Sequence, residues 1–199
     1  MNNYYLLSGK NNPKVASAFA PEGTKLAHEL ISELENVNAL PFELNLVKLT
    51  VGRNGLIESN DLSDLKEVWL DYQPNNLFGP LFSEKLKSVI ENNLTGNEGI
   101  DWISAIVKAP NEQRTYYIPR FSKMLDVLDT QKTLFVQGTD HIIRPVFSLS
   151  KIGKYSVFHR PSSHSLWKIP SGLYVSEALK KAIQKEKLTG LDFEKTSIA

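Results

Sequence analysis

Asp126 and Asp129, in Met-Leu-Asp-Val-Leu-Asp, are the pair whose type and spacing come nearest to acid–base chemistry. Were that stretch helical, residues three apart would share a face. Two carboxylates serve as acid and base only when their surroundings push their proton affinities apart, and no neighbouring residue in the sequence does so. The bland reading is that these aspartates turn the chain ahead of a strand at Thr133 to Gln137. His141, His159 and His164 are candidate metal ligands. A metal site needs three or four converging ligands, however, and their spacing fits no His-Glu-x-x-His pattern, so scattered histidines are the simpler account. The chain has no cysteine, hence no thiolate ligand, cysteine nucleophile or disulfide framework. Gly-x-Ser-x-Gly, the Walker phosphate loop and Gly-x-Gly-x-x-Gly are missing as well. No catalytic, cofactor-binding or metal-binding residue is therefore assigned, and no cofactor is expected.

A binding surface is the better signal. Lys151, Lys154, Arg160 and Lys168 are interleaved with Tyr155, Phe158, His159, His164 and Trp167, and no acid interrupts them. Cations attract phosphate and aromatics stack on bases, so the segment could face nucleic acid. Trp, Tyr and Arg are also the usual anchors of protein interfaces. The third reading is a strand that buries Tyr155 and Phe158 while its cations stay solvated. Trp167 lies between Ser162-Ser163-His164-Ser165 and Pro170, and Arg160 precedes Pro161. Both are expected at strand ends and loops, where a rigid scaffold displays binding residues. The competing view of Trp167 is that it covers the core. The candidate partner-binding set is Lys151, Lys154, Arg160, His164, Trp167 and Lys168.

The elements that must carry this segment repeat a pattern. Leu-Phe-Ser-Glu-Lys-Leu-Lys-Ser-Val-Ile from Leu81, with Leu94-Thr95-Gly96 and Ile100-Asp101-Trp102, returns as Tyr-Val-Ser-Glu-Ala-Leu-Lys-Lys-Ala-Ile from Tyr174, with Leu188-Thr189-Gly190 and Leu191-Asp192-Phe193. Ser83 and Ser176 suit a helix N-cap, and the glutamate after each favours the helix dipole. Leu86, Val89 and Ile90, like Leu179, Ala182 and Ile183, form an apolar stripe. Gly96 and Gly190 suit the left-handed position that closes a helix. Each copy reads as capped helix, glycine stop, then strand, although common helix-end rules alone would produce part of the match.

Tyr4 to Leu7 reads as a strand and Thr24 to Glu35 as a helix with Leu26, Leu30, Ile31 and Leu34 on one face. From Pro41, the alternation of Phe42, Leu44 and Leu46 with Glu43 and Asn45 reads as a strand, and Gly52-Arg53-Asn54-Gly55 as a turn. Leu62, Leu65, Val68, Trp69 and Tyr72 have helical spacing until Gln73-Pro74 breaks it. Beyond Gly99, Trp102–Val107, Thr115–Ile118, Lys132–Gln137, Ile142–Phe147 and Tyr155–His159 are rich in β-branched or aromatic residues. Their connections are mostly too short for crossover helices. The expected fold is α+β, a mainly antiparallel sheet with a few flanking helices, two of them similar and Ser-capped. Residues 1–57 are expected to form a helix/strand extension packed on a main domain of residues 58–199.

At 199 residues, 41% apolar and 23% charged, the composition is that of an ordinary soluble protein. Residues 1–112 carry 9 basic and 15 acidic side chains, whereas residues 113–199 carry 14 and 7. Such asymmetry fits a partner surface or two halves that neutralise each other. No signal peptide follows Met1 and no apolar run reaches membrane-spanning length, so the cytoplasm is expected.

The order of motifs from about residue 60 to 195 resembles a bacterial immunity-protein family of polymorphic toxin systems, long catalogued as a domain of unknown function. The carriers are Trp69-Leu70-Asp71-Tyr72, Pro80 to Leu86, Tyr116-Tyr117, Asp126-Val127-Leu128-Asp129 and Ser156 to Arg160. The most specific is the closing Val175-Ser176-Glu177-Ala178-Leu179 with Leu188 to Glu194. The resemblance implies a non-enzymatic cytoplasmic protein that blocks a cognate toxin by direct binding and holds no cofactor. A nucleic-acid-binding module built on the basic half, or a small enzyme using Asp126 and Asp129, is the alternative. The resemblance does not reach residues 1–55, and the oligomeric state is left open.

Overall fold

The computed structural model describes residues 3–10, 12, 14–53, 55–162 and 165–199. The chain opens with β1 (Tyr4–Gly9), β2 (Ala16–Phe19), α1 (Ala27–Glu33), β3 (Leu44–Gly52) and β4 (Gly55–Ser59). It continues through β5 (Tyr72–Gln73), β6 (Leu81–Ser83), α2 (Glu84–Glu91), β7 (Ile100–Ala109) and β8 (Glu112–Phe121). A ribbon of β9 (Leu134–Phe135) and β10 (Ile142–Arg144) and a single helical turn α3 (Leu149–Ile152) follow. The last elements are β11 (Val157–Phe158), β12 (Leu173–Ser176), α4 (Glu177–Lys185) and β13 (Leu191–Lys195). All strand pairings are antiparallel except the short parallel contact of β3 with β7, which makes the fold α+β.

The repeated sequence folds twice in the same way. Ser83 Oγ accepts the Leu86 N–H and Ser176 Oγ the Leu179 N–H, both at 3.2 Å, so each serine caps its helix. Leu86 and Ile90 of α2, and Leu179 and Ile183 of α4, are fully buried in one shared core, where the two helices pack together. The likeness extends to the sheets. In the seven-stranded sheet the order is β5-β6-β8-β7; in the four-stranded sheet it is β11-β12-β1-β13. In each, a strand from elsewhere in the chain lies between the strand that enters the helix and the strand that follows it. In the second unit that strand is β1.

The two units brace each other at equivalent places. Asp71, next to β5, accepts Ser83 Oγ–H at 2.7 Å on one oxygen, and the Thr189 N–H at 2.8 Å and hydroxyl at 3.1 Å on the other. Glu98, just before β7, accepts the Thr95 N–H at 3.1 Å and hydroxyl at 3.0 Å, and the Ser156 N–H beside β11 at 2.8 Å. Each Leu-Thr-Gly turn is thus held to the other unit's edge strand by a carboxylate.

Some expectations need correction. The glycines do not close the helices: α2 and α4 end at Asn92 and Glu186, and Lys187 takes the left-handed conformation after α4. Gly96 and Gly190 instead turn the chain into the next strand. Gly190 is also a point of close approach, since a Cβ there would lie 2.4 Å from the Tyr72 carbonyl oxygen. Leu62 to Tyr72 is not helical. Its end is held locally by Leu70 N–H donating to Gln73 Oε1 (3.0 Å), and to distant elements by Tyr116 Oη–H donating to the Leu70 carbonyl (2.8 Å) and Trp69 Nε1–H to Glu112 (2.7 Å). Leu26 is 67% exposed because it precedes the first helical residue of α1, where the buried stripe of Leu30, Ile31 and Leu34 begins. The strands expected over 132–137, 142–147 and 155–159 shrink to two or three residues. Around them the Thr133 hydroxyl exchanges bonds with Val146, and Pro145 has no N–H to donate.

The described residues between 3 and 59 are woven into the four- and seven-stranded sheets. Tyr4 and Leu7 of β1 are buried, and the Tyr4 hydroxyl donates to the carbonyl of Ile152 at 2.9 Å, with that of Tyr155 at 3.1 Å. β2, β3 and β4 extend the larger sheet, and α1 covers it to form a second core. Asn54 of the expected turn lies outside the described residues.

Candidate partner-binding face

Asp126 and Asp129 do not sit on a helix. Asp126 is well exposed and pairs with Lys151 at 2.9 Å, while Asp129 accepts the N–H groups of Gln131 and Lys132 at 3.0 and 3.2 Å. Asp129 thereby turns the chain ahead of β9. The histidines part company too. His141 is exposed at the ribbon, His159 is fully buried, and His164 lies outside the described residues. Among the described residues no cluster of three His, Cys, Asp or Glu is arranged to hold a metal ion.

The basic–aromatic segment is spread over three places. Lys151, on α3, donates to Asp126 and to the Leu128 carbonyl at 3.0 Å. Lys154 lies over the Tyr155 ring at 5.2 Å, and its carbonyl accepts the Thr95 hydroxyl at 2.8 Å, which places it at the brace between the two units. Lys168 is ion-paired with Glu35 and lies 5.8 Å from the Trp167 ring centroid. Positive charge from the C-terminal half is therefore partly met by acids of the same chain. Trp167 is half-buried, packs on the core and stacks on His159 with ring centroids 5.6 Å apart.

His159 explains the local architecture. Its ring is held between Phe121, 4.6 Å away edge-on, and Trp167. Nε2 faces the Leu125 N–H at 3.2 Å and the Lys123 carbonyl at 3.3 Å, and Nδ1 faces the Arg160 carbonyl at 3.1 Å. Burial pushes the imidazole below its ordinary proton affinity, so it stays neutral. It fixes the main chain at Arg160 and supports the loop that bears Trp167.

Arg160 itself is exposed at the strand end, as expected. It lines two adjoining clefts together with Ser162 and Leu166. One, of about 410 Å³, is walled by Met124, Leu128, Phe135, His141 and Ile142. The other, of about 450 Å³, reaches Phe78, Ile169 and Tyr174. Met124 and Leu166 are 56% and 38% exposed. The sequence reading did not include these apolar neighbours. Their only signal was the dense apolar content of Leu134-Phe135-Val136 and Ile142-Ile143, more than a half-buried ribbon can hide.

Among the described residues no helix is long and apolar enough to cross a membrane. Residues 62–197 match the model of an immunity protein family, Imm11. A search of curated proteins finds no match.

Proposed function

The chain belongs to the Imm11 immunity protein family, and we propose that it works by binding a cognate toxin protein directly and blocking it, without chemistry or a cofactor of its own. The observation that carries this reading is the family match, which spans most of the chain. We place its action in the bacterial cytoplasm, within a polymorphic toxin system, beside the gene of the toxin it blocks. The segment from Lys151 to Lys168 forms part of the proposed contact face, with Arg160 and Trp167 as its anchors. Loops that end short strands display side chains on a rigid base, and the buried His159 supplies that base under Arg160 and Trp167. The engagement of Lys151 and Lys168 by Asp126 and Glu35 weighs against a nucleic-acid track, which needs a continuous cationic groove.

Co-expression with the toxin domain encoded by the adjoining gene tests the reading. Rescue of growth, and co-purification of the two proteins, are expected. Arg160→Ala should weaken the complex with an unchanged melting temperature. A toxin that kills despite abundant folded protein rules the proposal out.

A further inference from the structure

The ribbon of β9 and β10 has one face on the core and one that no element of the described residues covers. Phe135 and Ile142, paired in register, pack inward. Successive side chains of a strand point to opposite faces, and Leu134, Val136 and Ile143 are 51%, 39% and 56% exposed. Of nine large apolar side chains exposed among the described residues, six fall between Met124 and Leu166. Isolated exposed apolar residues are ordinary, but a concentration of them marks an interaction site. Its margin has a definite sign: residues 130–162 contain five basic residues and a single acid, Asp140. Lys132 and Lys151 are engaged by Asp129 and Asp126. Arg144 and Arg160 are both exposed, and neither enters an ion pair among the described residues.

We infer that the outer face of the β9–β10 ribbon, with Met124 and Leu166 beside it, is the principal docking surface of this protein, and that it receives an acidic segment of the partner protein bearing apolar side chains. The inference rests on the proposed toxin-binding function and deepens it. The apolar residues supply the desolvated centre that usually carries binding energy. Arg144 and Arg160 flank that centre and are suited to bidentate carboxylate recognition. Charges at such a rim speed encounter and set orientation more than they tighten the final complex. The cleft between the ribbon and Arg160, about 410 Å³, has room for one or two partner side chains.

The experiment measures binding of the toxin domain encoded by the adjoining gene to purified full-length protein, by calorimetry and stopped flow. Ile143→Asp should weaken the complex at least tenfold, and Arg144→Glu should slow association and flatten its dependence on salt. Both residues are exposed, so melting temperatures should not change. Ile57→Asp, an equally exposed site on β4, should bind like the wild type. Were Ile143→Asp to perturb folding, the surface charge exchange Arg144→Glu decides alone. If the wild type binds and both ribbon variants bind equally well, the docking surface is overturned while toxin binding stands. If the folded wild type does not bind, the proposed function fails and this surface with it. If sedimentation finds a dimer that Ile143→Asp dissociates, the ribbon is covered by a second copy of the chain, and the inference is likewise overturned.

Discussion

Glu98 is the residue whose replacement best tests how the two units hold together. Its side chain is almost wholly buried, with the residue 1% exposed, and it accepts bonds from Thr95 and from Ser156. In Glu98→Gln an oxygen in the Oε1 place can still accept from Thr95 and Ser156, but the new amide N–H₂ in the Oε2 place faces the Thr95 N–H, a buried donor against a donor. A buried donor left unsatisfied costs about 1–3 kcal/mol, and the remaining bond loses its charge assistance. A destabilisation of about 2–3 kcal/mol follows, or roughly 4–12 °C in melting temperature for a chain of this size. The pH dependence gives a second handle. Burial by itself would raise the carboxyl's proton affinity, but the N–H groups of Ser156 and Thr95 and the Thr95 hydroxyl outweigh it and hold the pKa below its ordinary value. A carboxyl whose folded pKa lies below its unfolded one contributes stability above the unfolded value, and that stability is lost as pH falls through the folded value. Urea unfolding of both proteins at pH 7 and at about pH 3.5 is the assay. The gap between them should narrow in acid. A glutamine variant as stable as the wild type at pH 7, or a gap unchanged by pH, would refute the account of Glu98 as a charged brace.

Other outcomes follow from the same geometry. Leu179→Ala and Leu86→Ala should each cost about 2–5 kcal/mol in denaturant unfolding, since both side chains are fully buried in the shared core; a cost near zero at either would break the equivalence of the two units. Gly190→Ala should destabilise strongly, because it combines a positive φ of 77° with a contact of 2.4 Å to the Tyr72 carbonyl. Gly96→Ala, in open space at a φ of 85°, should cost less than Gly190→Ala in the same thermal melt. His159 stays neutral when folded and gains a proton more readily when unfolded. Stability should therefore fall as pH drops below about 6.5 and stop falling below the lower folded value. His159→Gln should be less stable at pH 7.5 yet lose less between pH 7.5 and 5.5, and equal losses in both proteins would contradict the assignment.

Local rules accounted for the parts of this protein that depend on neighbouring residues. A serine, a glutamate and an apolar stripe of period 3.6 specify α2 and α4 before any tertiary contact exists, and both helices form with those serines as caps. Alternating β-branched and aromatic residues likewise gave β7 and β8, whose long antiparallel pairing needs only the two-residue turn between them. Tertiary structure decided what local signals cannot carry. The strand that fills the second unit is β1, whose partners lie more than 160 residues away. Leu62 to Tyr72 had helical spacing, but its end is held by Glu112 and Tyr116, and bonds between distant groups overrode a weak local preference. The basic–aromatic segment was visible as composition, yet burial divided it. His159 went into the core, Lys151 and Lys168 met acids from distant residues, and Arg160 stayed at the surface. The exposed face of the β9–β10 ribbon was not legible beyond the apolar content of its strands. Period two states that a strand has two faces, but only the packing of Phe135 and Ile142 decided which face met the core.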